Sequence, residues 1–372
     1  MEKLKIGFIG CGGIANDKHF PGMATQRDRI DMYAFCDLIP ERAEEARKKY
    51  GCEGAKVFTD YHELLADPDI FAVHVLTPNV SHCQISCDAM EAGKHVICEK
   101  PMAATYADAK RMYDTHIRTG KLLTIGYQYR HIDGHKAMKE YIDTGALGEI
   151  YYAEATAYRR RGIPTWGVFT SKKDQGGGPL IDMATHALDL TLWMMNNYEV
   201  ASVTGVTFAE IGPKAKEGEL ANSFGPWDPA KYELEDAAFG FVRMKNGALI
   251  NIRSSWALNI RPNEGLVRLC GTKGGIDEQG SGMSADVVAN HVVANRLVDT
   301  KIETRAMRPR MANTIDRNPQ EMPQEAEARI WVDALLGKGE LFVTPEQALT
   351  VTKILDAIYE SARTGKTIYF DD

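Results

Sequence analysis

Lys100 is a candidate for a chemical role because of its residue type and its neighbours. It lies in Glu99-Lys100-Pro101, directly after the short apolar run Val96 to Cys98. A lysine ammonium held beside another cation in a poorly solvated site has a lowered proton affinity, which suits it to proton transfer or to donation to a substrate oxygen. A solvated lysine in a turn is the alternative reading, and this motif alone does not decide between the two.

A second set of polar side chains follows the glycine-rich segment 176–178. Pro179 is a favourable first residue for a helix, and apolar residues at helical spacing come after it. Asp182, His186 and Asp189 are four and three residues apart, so they share one face of that helix. Polar side chains in this arrangement indicate one of two things: part of a metal site, or an internal hydrogen-bond network. The apolar residues predicted to be buried on the rest of the helix are Leu188, Leu192 and Trp193.

The glycine-rich turn after the apolar run Ile6 to Gly10 fits a dinucleotide. Residues 10–15 read Gly-Cys-Gly-Gly-Ile-Ala, with small residues where the chain turns, where a pyrophosphate approaches and where the helix packs on the strand. Asp37 ends a second strand about twenty residues on, where a carboxylate accepts hydrogen bonds from ribose hydroxyls and repels a 2′-phosphate. We therefore predict NAD in preference to NADP, although Arg42 is near enough to reach a phosphate. The predicted cofactor contacts here are Gly10, Gly12, Gly13, Ile14, Asp37 and Arg42.

Residues 1–126 have the pattern that positions such a turn, because short apolar runs alternate with amphipathic stretches. This alternation is typical of a parallel sheet covered by crossover helices. We predict a doubly wound α/β domain of the Rossmann type over this range. The predicted strands are 6–10, 32–36, 71–76, 96–98 and 122–125, and two of the predicted helices are 39–50 and 81–92.

Residues 127–372 are predicted to form an α+β domain with a large, mostly antiparallel open sheet. Strand-like runs at 149–161, 200–211, 237–244, 248–256 and 266–270 follow one another, most of them with no helix between. Asn246-Gly247 predicts a hairpin turn, since both residues tolerate positive φ. The segment 212–235 reads as a surface loop, and 274–314 gives no interpretable pattern. Closing helices are predicted over 321–336 and 345–364, the second ended by Gly365 and a candidate to pack on the first domain.

Composition narrows the class of protein. The 372 residues carry a formal net charge of −7, which provides no overall positive field for nucleic acid, although Arg159, Arg160 and Arg161 form a local exception. No apolar run is long enough to span a bilayer, and the Gly-rich N-terminus is a strand and turn, not a signal peptide. Seven cysteines in mostly apolar surroundings suit a reducing compartment. We expect a cytoplasmic protein without a metal site, since Cys83 and Cys87 have no second ligand pair at metal spacing.

Several motifs together resemble the Gfo/Idh/MocA oxidoreductase family, named for glucose-fructose oxidoreductase and inositol dehydrogenase. They are GCGGIA, Asp37, TPNVSH, EKPMA and GGGPLIDMATHALDL, in matching order over nearly the whole chain. The resemblance implies that Lys100, Asp182 and His186 form the catalytic group. His186 would be the acid/base, Lys100 would orient the hydroxyl and assist proton movement, and Asp182 would bind a neighbouring hydroxyl.

The same resemblance implies further contacts and an assembly. Relatives often have a cis bond at the position of Lys100–Pro101. They commonly pair through the open face of the C-terminal sheet, which implies a homodimer or homotetramer. The additional residues implied to lie along the nicotinamide side of the cofactor are Thr77, Asn79, His82 and Glu99, together with Lys100.

Substrate recognition is less determined by these motifs. Tyr129, Arg159 and Trp166 are candidates for the substrate walls, with Asp182 and His186. If Arg159 to Arg161 continue a strand, alternate side chains point opposite ways and only part of the cluster faces substrate. Trp166 could stack on a pyranose ring or belong to the core.

The resulting hypothesis is NAD-dependent oxidation of a secondary alcohol on a sugar, glycoside or cyclic polyol, including oxidation at C3 of a glucoside. Two alternatives remain open. One is glycoside cleavage through transient C3 oxidation with retained NAD, and the other is a catalytically silent NAD-binding sensor. The sequence names neither the sugar nor the carbon that reacts.

Overall fold

The computed structural model describes residues 2–215, 221–261, 267–279, 286–304 and 321–370. These residues form two compact units. The first comprises Met1–His131 and Glu321–Leu349, and the second comprises Ile132–Gln320 and Thr350–Asp372.

A six-stranded parallel sheet forms the centre of the first unit. Its strands lie in the order β3-β2-β1-β4-β5-β6, and all five pairings are parallel. The reversal of direction beside β1 is the arrangement of a doubly wound sheet, so the predicted Rossmann fold is confirmed. The short strand β3 was not predicted. The strands are β1 Leu4–Ile9, β2 Ile30–Cys36, β3 Lys56–Phe58, β4 Ala72–Val75, β5 His95–Cys98 and β6 Leu123–Ile125.

Helices connect these strands and cover the sheet. The helix after β1 contains a π-helical turn, Ala15–His19, before its α-helical part. A segment distant in sequence supplies α9, which belongs to the same unit. The α-helices are α1 Phe20–Ala24, α2 Pro40–Tyr50, α3 Tyr61–Leu65, α4 His82–Glu91, α5 Tyr106–Thr119 and α9 Pro323–Leu335.

The core of the first unit combines aromatic residues of the sheet with residues of α9. Phe8 stacks on Phe35 with ring centroids 5.5 Å apart and meets Phe20 edge to face at 5.2 Å. Trp331 and Val332 of α9 belong to the same buried cluster. The N-terminal sheet therefore depends on the predicted helix at 321–336 to complete its core.

A nine-stranded sheet forms the second unit, in the order β14-β13-β12-β11-β7-β10-β9-β8-β15. Every pair is antiparallel except β7 with β10. The predicted α+β class is thus confirmed. Its strands are β7 Ile150–Tyr158, β8 Val200–Phe208, β9 Ala237–Met244, β10 Leu249–Ser255, β11 Val267–Gly271, β12 Gly274–Gln279, β13 Asp286–Val293, β14 Arg296–Ile302 and β15 Ile368–Tyr369.

Three short helices belong wholly to this unit, and α10 begins in the first unit and ends in the second. A π-helical turn, Leu180–Ala184, leads directly into α8. The end of α10 at Thr364 agrees with the predicted stop at Gly365, whose φ is +68°. The helices are α6 Asp133–Asp143, α7 Lys172–Gln175, α8 Thr185–Met195 and α10 Pro345–Thr364.

One local prediction agrees with the structure and two differ. The Asn246-Gly247 hairpin joins β9 to β10, with Gly247 at φ +90°. The uninterpreted segment 274–314 contains β12, β13 and β14, while 280–285 and 305–314 lie outside the described residues. The strand predicted over 149–161 ends at Tyr158, so its alternation does not extend to the three arginines. Trp193, predicted to be buried, is half-buried.

Within the described ranges, no helix combines the length and the apolar character needed to cross a lipid bilayer.

Candidate active site

The glycine-rich turn follows β1 directly. Gly10 has φ +96°, and its N–H donates to the carbonyl of Cys36 at 2.8 Å. A Cβ on Gly10 would lie 2.6 Å from the carbonyl oxygen of Leu76, so only glycine fits this close approach. A Cβ on Gly12 or Gly13 would meet nothing within 4 Å. The turn therefore leaves open backbone where a pyrophosphate can approach the start of the helix.

Asp37 follows β2 and is bonded to this turn. Its Oδ2 accepts from the N–H of Cys11 at 2.8 Å, and its Oδ1 accepts from the N–H of Ile39 at 2.9 Å. Ile14 is partly exposed at the start of the helix, and Arg42 is exposed on α2. The residues present fit the adenosine and pyrophosphate parts of NAD, with Asp37 at the strand end that a ribose requires.

Residues 77–82 continue from β4 at the same edge of the sheet. Thr77 and Asn79 are half-buried, and His82 is fully buried at the start of α4. The His82 Nε2 lies 2.8 Å from the carbonyl oxygen of Thr77, and its Nδ1 lies 2.8 Å from that of Pro101. In this structure, His82 joins the Thr77 segment to the Lys100–Pro101 segment.

The Glu99-Lys100-Pro101 segment follows β5, and the Lys100–Pro101 peptide bond is cis, as the resemblance implied. Lys100 is half-buried. The N–H of Lys100 donates to Glu99 Oε2 at 3.2 Å. Glu99 itself is buried, and its Oε1 lies 2.5 Å from Lys18 Nζ and 2.8 Å from His19 Nε2.

Lys18, His19, His74, Glu99 and Glu327 form a buried ionic cluster next to this segment. Lys18 Nζ also contacts Glu327 Oε2 at 3.0 Å, and His19 Nδ1 lies 3.0 Å from His74 Nδ1. The cluster therefore connects the helix after β1, strand β4, the end of β5 and α9.

Charge partners outweigh burial in setting the pKa values of Glu99 and Lys18, whereas burial dominates at His74. Burial raises the pKa of Glu99, but Lys18 and His19 outweigh it and hold that pKa well below its usual value. Burial lowers the pKa of Lys18, but Glu327 and Glu99 outweigh it and the pKa is raised. Burial, with His19 and Lys18, holds the pKa of His74 well below normal. Glu99 and Lys18 are therefore both charged at neutral pH, while His74 is neutral.

Tyr129 is half-buried in a 3₁₀ turn, Gln128–His131, at the end of the first segment of this unit.

In the second unit, Asp182 and His186 lie on consecutive helical turns. Asp182 belongs to the π-helical turn and His186 to the first turn of α8. π-Helical turns are rare and are frequent at functional sites. Asp182 Oδ2 accepts from the indole Nε1 of Trp256 at 3.1 Å, and Trp256 is fully buried. His186 and Asp189 are buried as well, so this face is an internal polar surface with one anchored carboxylate oxygen.

Glu235 holds the loop that precedes this helix. Its Oε1 accepts from the N–H of Gly178 at 2.9 Å and from the phenol of Tyr359 at 2.7 Å. A Cβ on Gly177 would lie 2.1 Å from the Tyr359 oxygen. The glycine-rich segment is therefore required for close packing against α10. Burial raises the pKa of Glu235, and the Tyr359 and backbone hydrogen bonds oppose that rise.

Two of the three predicted substrate-wall residues, Arg159 and Trp166, lie just after β7. Arg159 is half-buried, and its guanidinium carbon lies 5.2 Å from the centroid of the Phe224 ring. Trp166 is 49% exposed, and its ring meets Phe224 edge to face at 4.6 Å. An exposed tryptophan does not fit the core alternative and leaves Trp166 accessible to a ligand.

Sequence reasoning missed several residues that position the candidate groups. His74 gave the clearest available signal, because it interrupts an apolar strand. Lys18 and Glu235 carry no local signal, since their partners are 81 and 57 residues away. The missed residues are Lys18, His19, His74, Glu235, Trp256, Glu327 and Tyr359. In the described part of the chain, no group of three or more His, Cys, Asp or Glu side chains is arranged to hold a metal ion.

Comparisons with known proteins agree with this architecture. Residues 4–127 match the Gfo/Idh/MocA oxidoreductase model described as an NAD-binding Rossmann fold, and residues 139–370 match its C-terminal alpha/beta domain. The chain is 34% identical to D-glucoside 3-dehydrogenase of Escherichia coli strain K12, over 98% of this chain and 97% of that protein.

Levoglucosan dehydrogenase gives a second likeness, in sequence and in structure. The chain is 27% identical to the enzyme of Pseudarthrobacter phenanthrenivorans over 74% of this chain and 73% of that protein. A solved levoglucosan dehydrogenase, in complex with NADH and levoglucosan, has a TM-score of 0.81 and 25% identity, covering 99% of both chains.

Proposed function

This chain belongs to the Gfo/Idh/MocA family of NAD-binding oxidoreductases, and we propose that it oxidises a secondary alcohol of a sugar, glycoside or cyclic polyol, with glucosides as the first class to test. The observation that carries the proposal is the 34% identity to a D-glucoside 3-dehydrogenase across nearly the whole of both chains. The intact set Lys100, Asp182 and His186 supports an enzyme over a silent sensor, because a binding module needs no proton-transfer group.

The first unit holds the cofactor in this proposal. The turn at Gly10, the open backbone of Gly12 and Gly13 and the carboxylate of Asp37 support that assignment. Thr77, Asn79 and Glu99 are assigned to the nicotinamide side, with His82 holding their segments together. When bound, NAD accepts the hydride that leaves the substrate carbon.

Oxidation of the alcohol also requires a group that accepts the hydroxyl proton. We assign this to His186, whose side chain is largely shielded from water. Lys100 donates to the reacting oxygen and assists proton movement. Asp182 accepts from a neighbouring hydroxyl, and the Trp256 indole, bonded to its Oδ2, restricts the orientation of the carboxylate. Tyr129, Arg159 and Trp166 are assigned to the substrate walls.

The direct test is NADH formation by the purified protein with NAD, across alkyl and aryl glucosides, free aldoses and inositols, with product analysis. A substrate-dependent rise in NADH is expected. Altered sugar without net NADH would indicate retained cofactor and favour glycoside cleavage. No change in either sugar or cofactor would contradict the proposal.

His186→Ala should lower turnover by about two to four orders of magnitude, because a general base contributes on that scale. Binding of NAD, measured by calorimetry, should be nearly unchanged. His62→Ala is the matched control, since His62 is exposed on α3 and should be neutral for turnover. Normal turnover of the His186 variant would remove this residue from the mechanism.

A further inference from the structure

A cavity of about 690 Å³ in the second unit is unusually positive. Four arginines line it, namely Arg159, Arg160, Arg161 and Arg261. Its other lining residues include Ser223 and Asn259, and none of the lining residues that the structure describes is acidic. The chain as a whole carries a formal net charge of −7. We call this space the arginine cavity, and it is a local concentration of positive charge in an acidic protein.

The hydrogen bonds of two of these arginines fix their position without neutralising them. Arg161 donates from Nη1 to the carbonyl of Leu258 at 3.2 Å and from Nη2 to Asn259 Oδ1 at 2.7 Å. Arg159 donates from Nη1 to the carbonyl of Gly162 at 3.0 Å. A Cβ on Gly162 would lie 2.6 Å from Arg159 Cδ, so this glycine makes room for the arginine side chain. Uncharged acceptors leave the guanidinium charge available to an anion.

The arginine cavity is joined to the candidate catalytic face. The N–H of Arg159 donates to the carbonyl of Ser255 at 2.8 Å, and the N–H of Gly162 donates to that of Trp256 at 2.8 Å. The indole of this same Trp256 donates to Asp182. The segment that carries Arg159 is therefore hydrogen-bonded to the segment that carries Trp256, the residue that anchors Asp182. A ligand in the cavity is therefore bound next to the segment whose Trp256 anchors Asp182.

An aromatic surface lies beside the arginines. Phe224 lines the arginine cavity and is 41% exposed. Trp166 meets its ring at 4.6 Å between centroids. Apolar ring faces next to charged donors suit a ligand that combines a sugar face with an anionic group.

We propose that the arginine cavity binds the phosphate group of a phosphorylated sugar or glycoside, whose ring is the part oxidised. The guanidinium charges of Arg159, Arg161 and Arg261 share this space and repel each other, and a bound anion offsets that repulsion. A phosphate monoester carries close to two negative charges at neutral pH and offers three oxygens to the planar guanidinium donors. A carboxylate offers one charge and two oxygens. This inference rests on the proposed function, because it specifies the substrate of the same site.

The test compares phosphorylated and neutral substrates on the intact protein. The ratio of kcat/KM for D-glucose 1-phosphate or 6-phosphate to that for methyl glucoside is expected to exceed ten. In the double variant Arg160→Gln, Arg261→Gln this ratio should fall by about ten- to a hundredfold, as expected for lost charge-assisted hydrogen bonds. Neither side chain takes part in the hydrogen bonds of Arg159 and Arg161 described above. Arg296→Gln removes an equivalent exposed charge on β14 and should leave the ratio unchanged.

Calorimetry with D-glucose 1-phosphate and with inorganic phosphate, on NAD-loaded protein, separates this inference from the proposed function. Oxidation of methyl glucoside without a preference for the phosphorylated sugars would overturn the phosphate assignment and leave the proposed function standing. Binding that the double variant loses, with no oxidation of any sugar, would support the arginine cavity and contradict the proposed function. Absence of both binding and oxidation would overturn both.

Discussion

Asp37 has a structural task in addition to the one predicted from its place after β2. Its two carboxylate oxygens accept from the backbone N–H groups of Cys11 and Ile39. The same side chain therefore shapes the glycine-rich turn and presents negative charge where a ribose is expected. A substitution of Asp37 can therefore change both the shape of the turn and the charge near the ribose, and an experiment has to separate these two effects.

Asp37→Asn separates them, because asparagine keeps one carbonyl acceptor for the turn but loses the charge. The variant should discriminate less against NADP than the wild type, since a 2′-phosphate is no longer repelled. Asp37→Ala should show the same loss and also a weaker affinity for NAD. The measurement is the ratio of kcat/KM for the two cofactors. An unchanged ratio in both variants would contradict the ribose assignment.

At the residue level, the sequence identified the groups proposed to act and missed the groups that hold them. Asp182 and His186 were recognisable because their spacing on one helix face and the glycine-rich segment before them are local features. Trp256, which anchors Asp182, is 74 residues away in sequence. Its pairing arises from the end of β10, and no local pattern encodes that approach. Contacts between residues that only tertiary packing brings together could therefore not be predicted from the sequence.

Among the elements, the buried ionic cluster connects four separate segments, and Glu99 pairs with Lys18 and His19 within it. Because the pKa of Glu99 is held well below its usual value, its contribution to folding is present above the unfolded pKa of about 4.3 and lost as pH falls through the lower folded value. The free energy of unfolding should therefore decrease as pH is lowered from about 5.

Glu99→Gln should lower the free energy of unfolding at neutral pH by about 3 kcal/mol, since a buried charge loses its partner. The variant should also show a weaker decrease between about pH 5 and pH 3 than the wild type. Urea unfolding followed by fluorescence measures both. Glu41→Gln, an exposed change on α2, is the control. Parallel pH curves for wild type and Glu99→Gln would show that Glu99 does not produce the acid sensitivity.

Glu235 links the loop before the π-helical turn to α10, because its Oε1 accepts from the N–H of Gly178 and from the phenol of Tyr359. Tyr359→Phe leaves a buried carboxylate with one acceptor unused, so the free energy of unfolding should fall by about 1–3 kcal/mol. Turnover should also decrease, because Asp182 lies in the turn that this loop starts. Tyr151→Phe changes an exposed tyrosine on β7 and should have little effect on either. A Tyr359→Phe variant with unchanged free energy of unfolding and unchanged turnover would show that this hydrogen bond does not stabilise the loop.

The element predictions succeeded where a pattern was long or bounded by clear turn residues. The Asn246-Gly247 hairpin and the closing helices are examples. Strand β3 has only three residues, too few for a periodic signal. The arginines after Tyr158 continued the apparent alternation of β7 although the strand had ended, because alternation of residue type does not by itself mark a strand end.

For the molecule as a whole, one face of the nine-stranded sheet exposes apolar side chains. Val206 and Phe208 on β8 and Phe241 on β9 are among them, and Phe241 is 54% exposed. Side chains of this size on neighbouring strands form a surface that association could cover. The resemblance implied pairing through the open face of this sheet.

Where two copies pair through this face, Phe241→Glu should shift the protein toward the monomer, because a carboxylate on this face opposes burial. Light scattering after size-exclusion chromatography measures the mass of both forms. Ile117→Glu places the same charge at an exposed position on α5 and should leave the mass unchanged. A monomeric wild type, or an oligomer that the Phe241 change does not affect, would contradict this assembly.

The discontinuity of the first unit affects how the protein is made. Trp331, Val332 and Glu327 complete its core and its buried ionic cluster, yet α9 begins about 190 residues after His131. At typical rates of synthesis, the ribosome needs about 10 to 40 s to translate that interval. During this time the nascent Rossmann segment has its six strands but lacks the helix that completes the buried cluster containing Phe8 and Phe35. Exposed apolar surface makes an incomplete fold prone to aggregation, and the emergence of α9 completes the buried cluster.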